Sequence, residues 1–146
     1  MSIKRTCFLI DDDEDDREIF SLSLESAYVS CSCVTSKNGL EALRMIEEDP
    51  DFLPDFIFID LNMPYMTGKE CLEAIRRIPR FANIPAIIYT TSSYTKDAED
   101  ARSLGATHFL VKPSSISALT SALTIIMEGT ASAYYLDTAT LSPDPV

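Results

Sequence analysis

Four short apolar runs in this chain end in residues that can do chemistry. Phe56-Ile57-Phe58-Ile59 ends in Asp60, and Cys7-Phe8-Leu9-Ile10 ends in Asp11, Asp12 and Asp13. Ile84 to Tyr89 ends in Thr90-Thr91-Ser92-Ser93, and His108 to Val111 ends in Lys112-Pro113. If the first two runs lie side by side, at least three carboxylates converge, and they repel one another. A hard cation with oxygen ligands relieves that repulsion, and an octahedral Mg²⁺ that keeps some of its waters suits a site with few protein ligands. Each feature also has a plainer reading. An Asp that ends a strand is a common turn residue, a run of hydroxyls serves as polar loop and helix cap, and a Lys at a strand end is usually solvated.

The elements that would position these groups are legible from the pattern. A run of four β-favouring apolar residues is too short for a helix and fits a strand buried on both faces of a parallel sheet. Ligand sites in such sheets lie outside the carboxyl ends of the strands. After the acidic stretch from Asp11 to Asp16, Phe20, Leu24, Ala27 and Tyr28 recur at helical spacing. Glu14, Asp15 and Asp16 suit the positive end of that helix's dipole. Cys31 to Thr35 reads as a strand, and Asn38-Gly39 as the turn into a helix with Leu40, Ala42, Leu43 and Ile46 inward. Pro50 and Pro54 end that helix. Gly68, beyond Asp60, is expected to supply a backbone angle that other residues resist. Further helices are expected with Cys71, Leu72, Ile75 and Ile78 buried, then near Lys96 to Leu104, then from Ser114 or Ser115 with Ile116, Leu119, Leu123 and Met127 buried. The fourth, with only Ala98, Ala101 and Leu104 to bury, is lightly anchored. Five strand signals alternate with five helix signals, the pattern of an α/β protein with helices on both faces of a parallel sheet.

Composition agrees. The 146 residues are one domain's worth, 46% hydrophobic and 24% charged, enough for a core without disulfides or metal staples. A net charge of −11 argues against binding to nucleic-acid phosphates. The apolar run Cys7 to Ile10 is too short for a signal peptide or membrane span, so a cytoplasmic protein is expected, with Cys7, Cys31, Cys33 and Cys71 as reduced thiols. One histidine and no second close cysteine pair give no zinc pattern.

Asp60-x-Asn62-Met63-Pro64 with Gly68, the acidic pair Asp11-Asp12, Thr90-Thr91 and Lys112-Pro113 together resemble the receiver domains of two-component response regulators, of the single-domain chemotaxis or phytochrome-associated type. The resemblance covers residues 5 to 128. It implies a flavodoxin-like doubly wound five-stranded parallel sheet of order 2-1-3-4-5. It further implies Asp60 as phosphoacceptor, with Mg²⁺ held by Asp11, Asp12, Asp60 and the backbone carbonyl of Asn62, Asp13 being a spectator. Thr90 and Lys112 would bind phosphoryl oxygens, and a cis bond would join Lys112 to Pro113. Phe109 falls at the family's switch aromatic, which moves inward when Thr90 does; the usual hydroxyl is missing. His108 has no expected role. Expected partners are a sensor histidine kinase or phosphotransfer protein and a downstream protein target, with a phosphorylation-dependent homodimer also open, and neither nucleic acid nor membrane. The receiver is expected over residues 1–128, followed by a tail, 129–146, without an output domain.

Two other readings use the same residues. A Mg²⁺-dependent phosphohydrolase with an aspartyl nucleophile needs a second Asp where Asn62 stands, and also a substrate-capping insertion. An interaction module that never accepts phosphate would not require all of Asp11, Asp12, Asp60, Thr90 and Lys112.

Overall fold

The computed structural model describes residues 4–27 and 31–138. Six parallel strands form one sheet: β1 (Arg5–Ile10), β2 (Cys31–Ser36), β3 (Phe56–Ile59), β4 (Ala86–Thr90), β5 (His108–Val111) and β6 (Tyr135–Asp137), in the order β2-β1-β3-β4-β5-β6. Alternation along the strands divides the core. Phe8 and Ile10 of β1 point to one face, where α2 (Gly39–Glu48), α3 (Gly68–Arg76) and α4 (Thr95–Ser103) pack; Cys7 and Leu9 point to the other, under α1 (Glu14–Ala27) and α5 (Ile116–Met127). All of β3 and β4 is buried. Full burial of one such aliphatic or aromatic side chain contributes about 1.5–3 kcal/mol, so these central strands dominate the packing.

The expected first five strands and five helices are present, in the expected order. The sixth strand corrects the five-stranded expectation: Tyr135, Leu136 and Asp137, from the segment read as a tail, pair with Phe109, Leu110 and Val111. Leu136 is 2% exposed, and burying it holds the strand against the α1–α5 side of the core.

Helix starts follow local chemistry. Asn38 caps α2 by accepting from the Glu41 N–H, Thr67 and Glu70 form a capping box on α3, and Ser115 caps α5. Leu40 and Ile116, expected inward, are exposed, each in the first turn of its helix; Gly39, Ala42 and Ile46 cover the core on α2. Tyr28 lies outside the described residues. No described helix is long and apolar enough to cross a membrane.

Gly68 differs from expectation in its reason. Its φ is not in the left-handed region, which Tyr65 enters at 70°. A Cβ at residue 68 would stand 2.2 Å from the Asp60 carbonyl oxygen and 2.6 Å from Leu61 Cα. Close backbone approach requires the glycine, and the Gly68 N–H donates to the Leu61 carbonyl at 2.8 Å. Helix α3 is thereby seated against the loop that carries Asp60.

Candidate functional site

The ladder continues one residue past several strand ends, and those residues carry the reactive groups. The Asp11 N–H donates to the Ser36 carbonyl (3.0 Å), the Asp60 N–H to the Ile10 carbonyl (3.0 Å) and the Lys112 N–H to the Thr90 carbonyl (2.7 Å). Backbone bonds of this kind leave little freedom in where the side chains start. Asp11, Asp60 and Lys112 therefore meet at the carboxyl edge of the sheet.

Lys112 is the centre of the cluster. Its Nζ is 2.7 Å from Asp16 Oδ2, 2.9 Å from Asp11 Oδ2 and 3.3 Å from Asp60 Oδ2, and it lies 5.1 Å from the centre of the Tyr89 ring. Burial alone would lower the ammonium's pKa. The close contacts to Asp16 and Asp11, with the charges of Asp11 and Asp60, outweigh it and raise the pKa above the ordinary lysine value. The side chain is a fixed cation rather than a solvated one.

Asp11 is fully buried. Its Oδ1 accepts the Asp13 N–H at 3.0 Å, while Oδ2 has the Lys112 ammonium nearby but no aligned hydrogen bond. Burial pushes this carboxyl up to about 6; the Asp13 N–H and Lys112 oppose the rise, and the charge of Asp60 adds to it. Arg17 steadies the same residue from behind, donating from Nη1 to the Asp11 carbonyl at 2.8 Å.

One carboxylate oxygen from each of Asp11, Asp12 and Asp60 lies within 4.8 Å of the others. Three hard carboxylate oxygens, beside a buried Asp11 Oδ2 that has no aligned donor, are the donor set that an Mg²⁺-sized ion takes. The residues present fit such a cation. Asp12 is exposed and Asp60 is 7% exposed, so the cluster opens to solvent on one side. Asn62 lies beside it, its N–H donating to Asp60 Oδ1 at 3.4 Å.

Thr90 is wholly buried at the end of β4, with Oγ1 accepting the Ser92 N–H at 3.3 Å. Its hydroxyl proton remains free to be donated. Thr91 is exposed. Phe109 is also wholly buried, its ring stacked on Tyr135 with centroids 5.6 Å apart.

Three sequence expectations need correction. The Lys112–Pro113 bond is not cis, since no described peptide bond is. The trans isomer of an X–Pro bond is intrinsically favoured by about 0.5–1 kcal/mol, and from it the Lys112 side chain still reaches all three carboxylates. Asp16, assigned only to the helix dipole, is the nearest partner of Lys112. Asp13 Oδ1 accepts the Asp16 N–H at 3.0 Å and so caps α1; the acidic run that sets the cap is what brings Asp16 round to the site. His108 is not incidental, because Nδ1 hydrogen-bonds the Ala133 carbonyl at 2.9 Å.

Comparisons with known proteins bear on this arrangement. A family model described as response regulator receiver domain matches residues 7–124. The sensor histidine kinase CheAY of Helicobacter pylori is 32% identical over 122 residues; these are 82% of this chain, which spans only 15% of CheAY. The chemotaxis response regulator CheY4 of Vibrio cholerae superposes with a TM-score of 0.74 at 27% identity, covering 85% of this chain and 99% of that one. The phosphorylated cyanobacterial phytochrome response regulator RcpA gives a TM-score of 0.78 at 24% identity, covering 99% of this chain and all of that one. This last likeness is one of fold.

Proposed function

The chain belongs to the response regulator receiver domain family, and from that premise we propose that it is a phosphoacceptor signalling protein. Asp60 accepts a phosphoryl group from a phosphohistidine of a sensor kinase or phosphotransfer protein, or from a small acyl phosphate. A carboxylate oxygen of Asp60 bonds to phosphorus as the donor's P–N or P–O bond breaks, and the electron pair leaves with the donor. The observation that carries this reading is the meeting of Asp60, the buried Asp11 and the fixed ammonium of Lys112 at one sheet edge.

Charge governs the step. Two anions must approach, and the ammonium of Lys112 and the hydroxyl of Thr90 are the chain's own groups for stabilising phosphoryl oxygens. Asp11, Asp12, Asp60 and the Asn62 backbone carbonyl would hold Mg²⁺, which when bound supplies further neutralisation of those oxygens. The product carries a charge of about −2 in place of −1. Thr90 and Lys112 turn toward it, Phe109 follows Thr90 as switch, and the α4–β5 surface changes for a downstream protein or for a second copy of this chain. The protein is a signalling module rather than an enzyme with its own substrate, acting in the cytoplasm by binding or relay. Residues 1–128 form the receiver and 129–146 an appended segment.

Intact mass after incubation with phosphoramidate or acetyl phosphate, with and without Mg²⁺, tests the proposal. A gain of one phosphoryl group that requires Mg²⁺ and is lost in Asp60→Asn is expected. Label persisting in that variant would defeat the assignment of Asp60, and no gain under any condition would favour the phosphate-independent module.

A further inference from the structure

The segment after α5 returns to the sheet and closes its β5 edge. The Phe109 N–H donates to the Tyr134 carbonyl at 2.9 Å, and β6 then pairs with β5 over three residues. The Tyr134 hydroxyl donates to the Ala98 carbonyl of α4 at 2.7 Å, and the Arg102 guanidinium sits 5.1 Å over the Tyr134 ring. Tyr135 stacks on Phe109 with the ring planes 11° apart. The chain's own segment thus occupies a surface formed by β5 and α4.

Apart from Leu136, which is buried in the core, that occupancy is light. A three-residue strand has few rungs to lose, and short edge elements open more readily than the sheet they border. Tyr135 is 38% exposed. A groove of about 410 Å³ is lined by Thr95, Ala98, Glu99 and Arg102 of α4 and by Tyr134 and Tyr135 of the segment. Helix α4 itself buries only Ala98 and Ala101.

The segment is also connected to the acidic cluster by consecutive pairings. Lys112 donates its N–H to the Thr90 carbonyl. Thr90 pairs with Val111, and Val111 pairs with Asp137 at the last rung of β6. Any displacement of Thr90 and Lys112 toward a new dianion on Asp60 reaches that rung through two register positions.

We propose that residues 133–137 are a displaceable cover over the Phe109 edge of β5, loosened when Asp60 is phosphorylated. The proposal rests on the acceptor reading above. Loosening takes Tyr135 off the Phe109 ring, which is then free to follow Thr90 inward, and uncovers the outer edge of β5 that the folded segment otherwise keeps closed.

Hydrogen exchange and intact mass on one sample, treated with phosphoramidate and Mg²⁺ or left untreated, test it. Several-fold faster exchange of the Tyr135–Asp137 amides in the phosphorylated protein, with β1 and β3 unchanged, is the expected result. A complete mass gain with unaltered exchange in that segment would overturn the cover and leave the acceptor reading standing. No mass gain would overturn the acceptor reading and the cover with it. Tyr134→Phe, which removes only the hydroxyl bond to Ala98, is expected to speed exchange in the segment without phosphate; an unchanged pattern would overturn the role of α4 in holding it.

Discussion

The Lys112 ammonium makes its shortest contact, 2.7 Å, with Asp16 Oδ2. Asp16 belongs to the first turn of α1, so before any phosphoryl group arrives the cation is shared between the site and a neighbouring helix. An incoming phosphoryl oxygen competes with Asp16 for it. An ion pair whose carboxylate is partly open to solvent, as Asp16 is, is worth on the order of 0.2–1 kcal/mol, a factor of about 1.4 to 5 in rate. Asp16→Asn is therefore expected to accelerate phosphoryl transfer from phosphoramidate by about that factor, with Asp60 still the acceptor. Timed intact-mass measurements check this, and slower transfer would mean that Asp16 orients Lys112 rather than competing for it.

Lys112→Ala removes the one cation that faces Asp11, Asp16 and Asp60 together among the described residues. The buried Asp11 is then left without its counter-charge, at a cost of up to about 3–5 kcal/mol, which protonation of Asp11 or added Mg²⁺ reduces. The variant is expected to take up phosphate while its α4 and β5 amides exchange as in the unmodified protein. Denaturant midpoints give the stability loss, and exchange with and without phosphoramidate gives the uncoupling. A parent-like response to phosphate in this variant would show that Lys112 is not the link.

At Gly68 a methyl group would collide with backbone rather than with a flexible side chain, 2.2 Å from the Asp60 carbonyl oxygen. Gly68→Ala must therefore move either the α3 start or the acceptor loop, and overpacking of this kind costs about 1–3 kcal/mol. A lower unfolding midpoint is expected together with slower phosphoryl transfer. Normal transfer at reduced stability would show that α3 yields and that Asp60 stays in place.

The five strands and the strand-end places of Asp11, Asp12, Asp60, Thr90 and Lys112 were legible because strand periodicity and strand-end chemistry are local signals, whereas the order of those strands came from the resemblance to receiver domains. What escaped the sequence was long-range. Asp16 looked like a dipole residue because its partner is 96 positions away. Tyr135 looked like tail because a three-residue strand has no periodicity to detect, and contacts distant in sequence, such as Leu136 in the core and Phe109 under the Tyr135 ring, fix it. Arg80 donates to the carbonyls of Ile46, Asp49 and Phe52, an arrangement that no local pattern encodes. Gly68 was singled out correctly and for the wrong cause, since a close approach depends on which backbone is opposite.

Lys69 joins α3 to α4 by contacts to Asp97 at 2.9 Å and Asp100 at 3.0 Å. Asp97 in turn accepts the Ser92 hydroxyl at 2.7 Å, two residues from Thr90. Because these groups are partly solvated, each contact is worth about 0.2–1 kcal/mol. Lys69→Met leaves Asp97 and Asp100 facing each other without the cation and is expected to speed amide exchange along α4 several-fold. The unfolding midpoint should change little. Unaltered exchange in α4 would show that its position does not depend on Lys69.

Burial holds the Asp11 carboxyl at about 6, above its value of about 3.9 in an unfolded chain. For a carboxyl raised in this way, the folded state binds the proton more tightly than the unfolded state does. Its contribution to stability is complete below the unfolded value and is lost as pH rises through about 6. In the metal-free protein the melting temperature should therefore contain a component that falls across that window. Mg²⁺ requires the ionised carboxylate and stabilises only the folded chain, so it should raise the melting temperature more above pH 6 than below it. Asp11→Asn is expected to remove both the pH component and most of the Mg²⁺ effect. Thermal melts at pH values on either side of about 6, with and without Mg²⁺, measure this. An Mg²⁺ shift of equal size on both sides, or one that survives Asp11→Asn, would place the cation on other ligands.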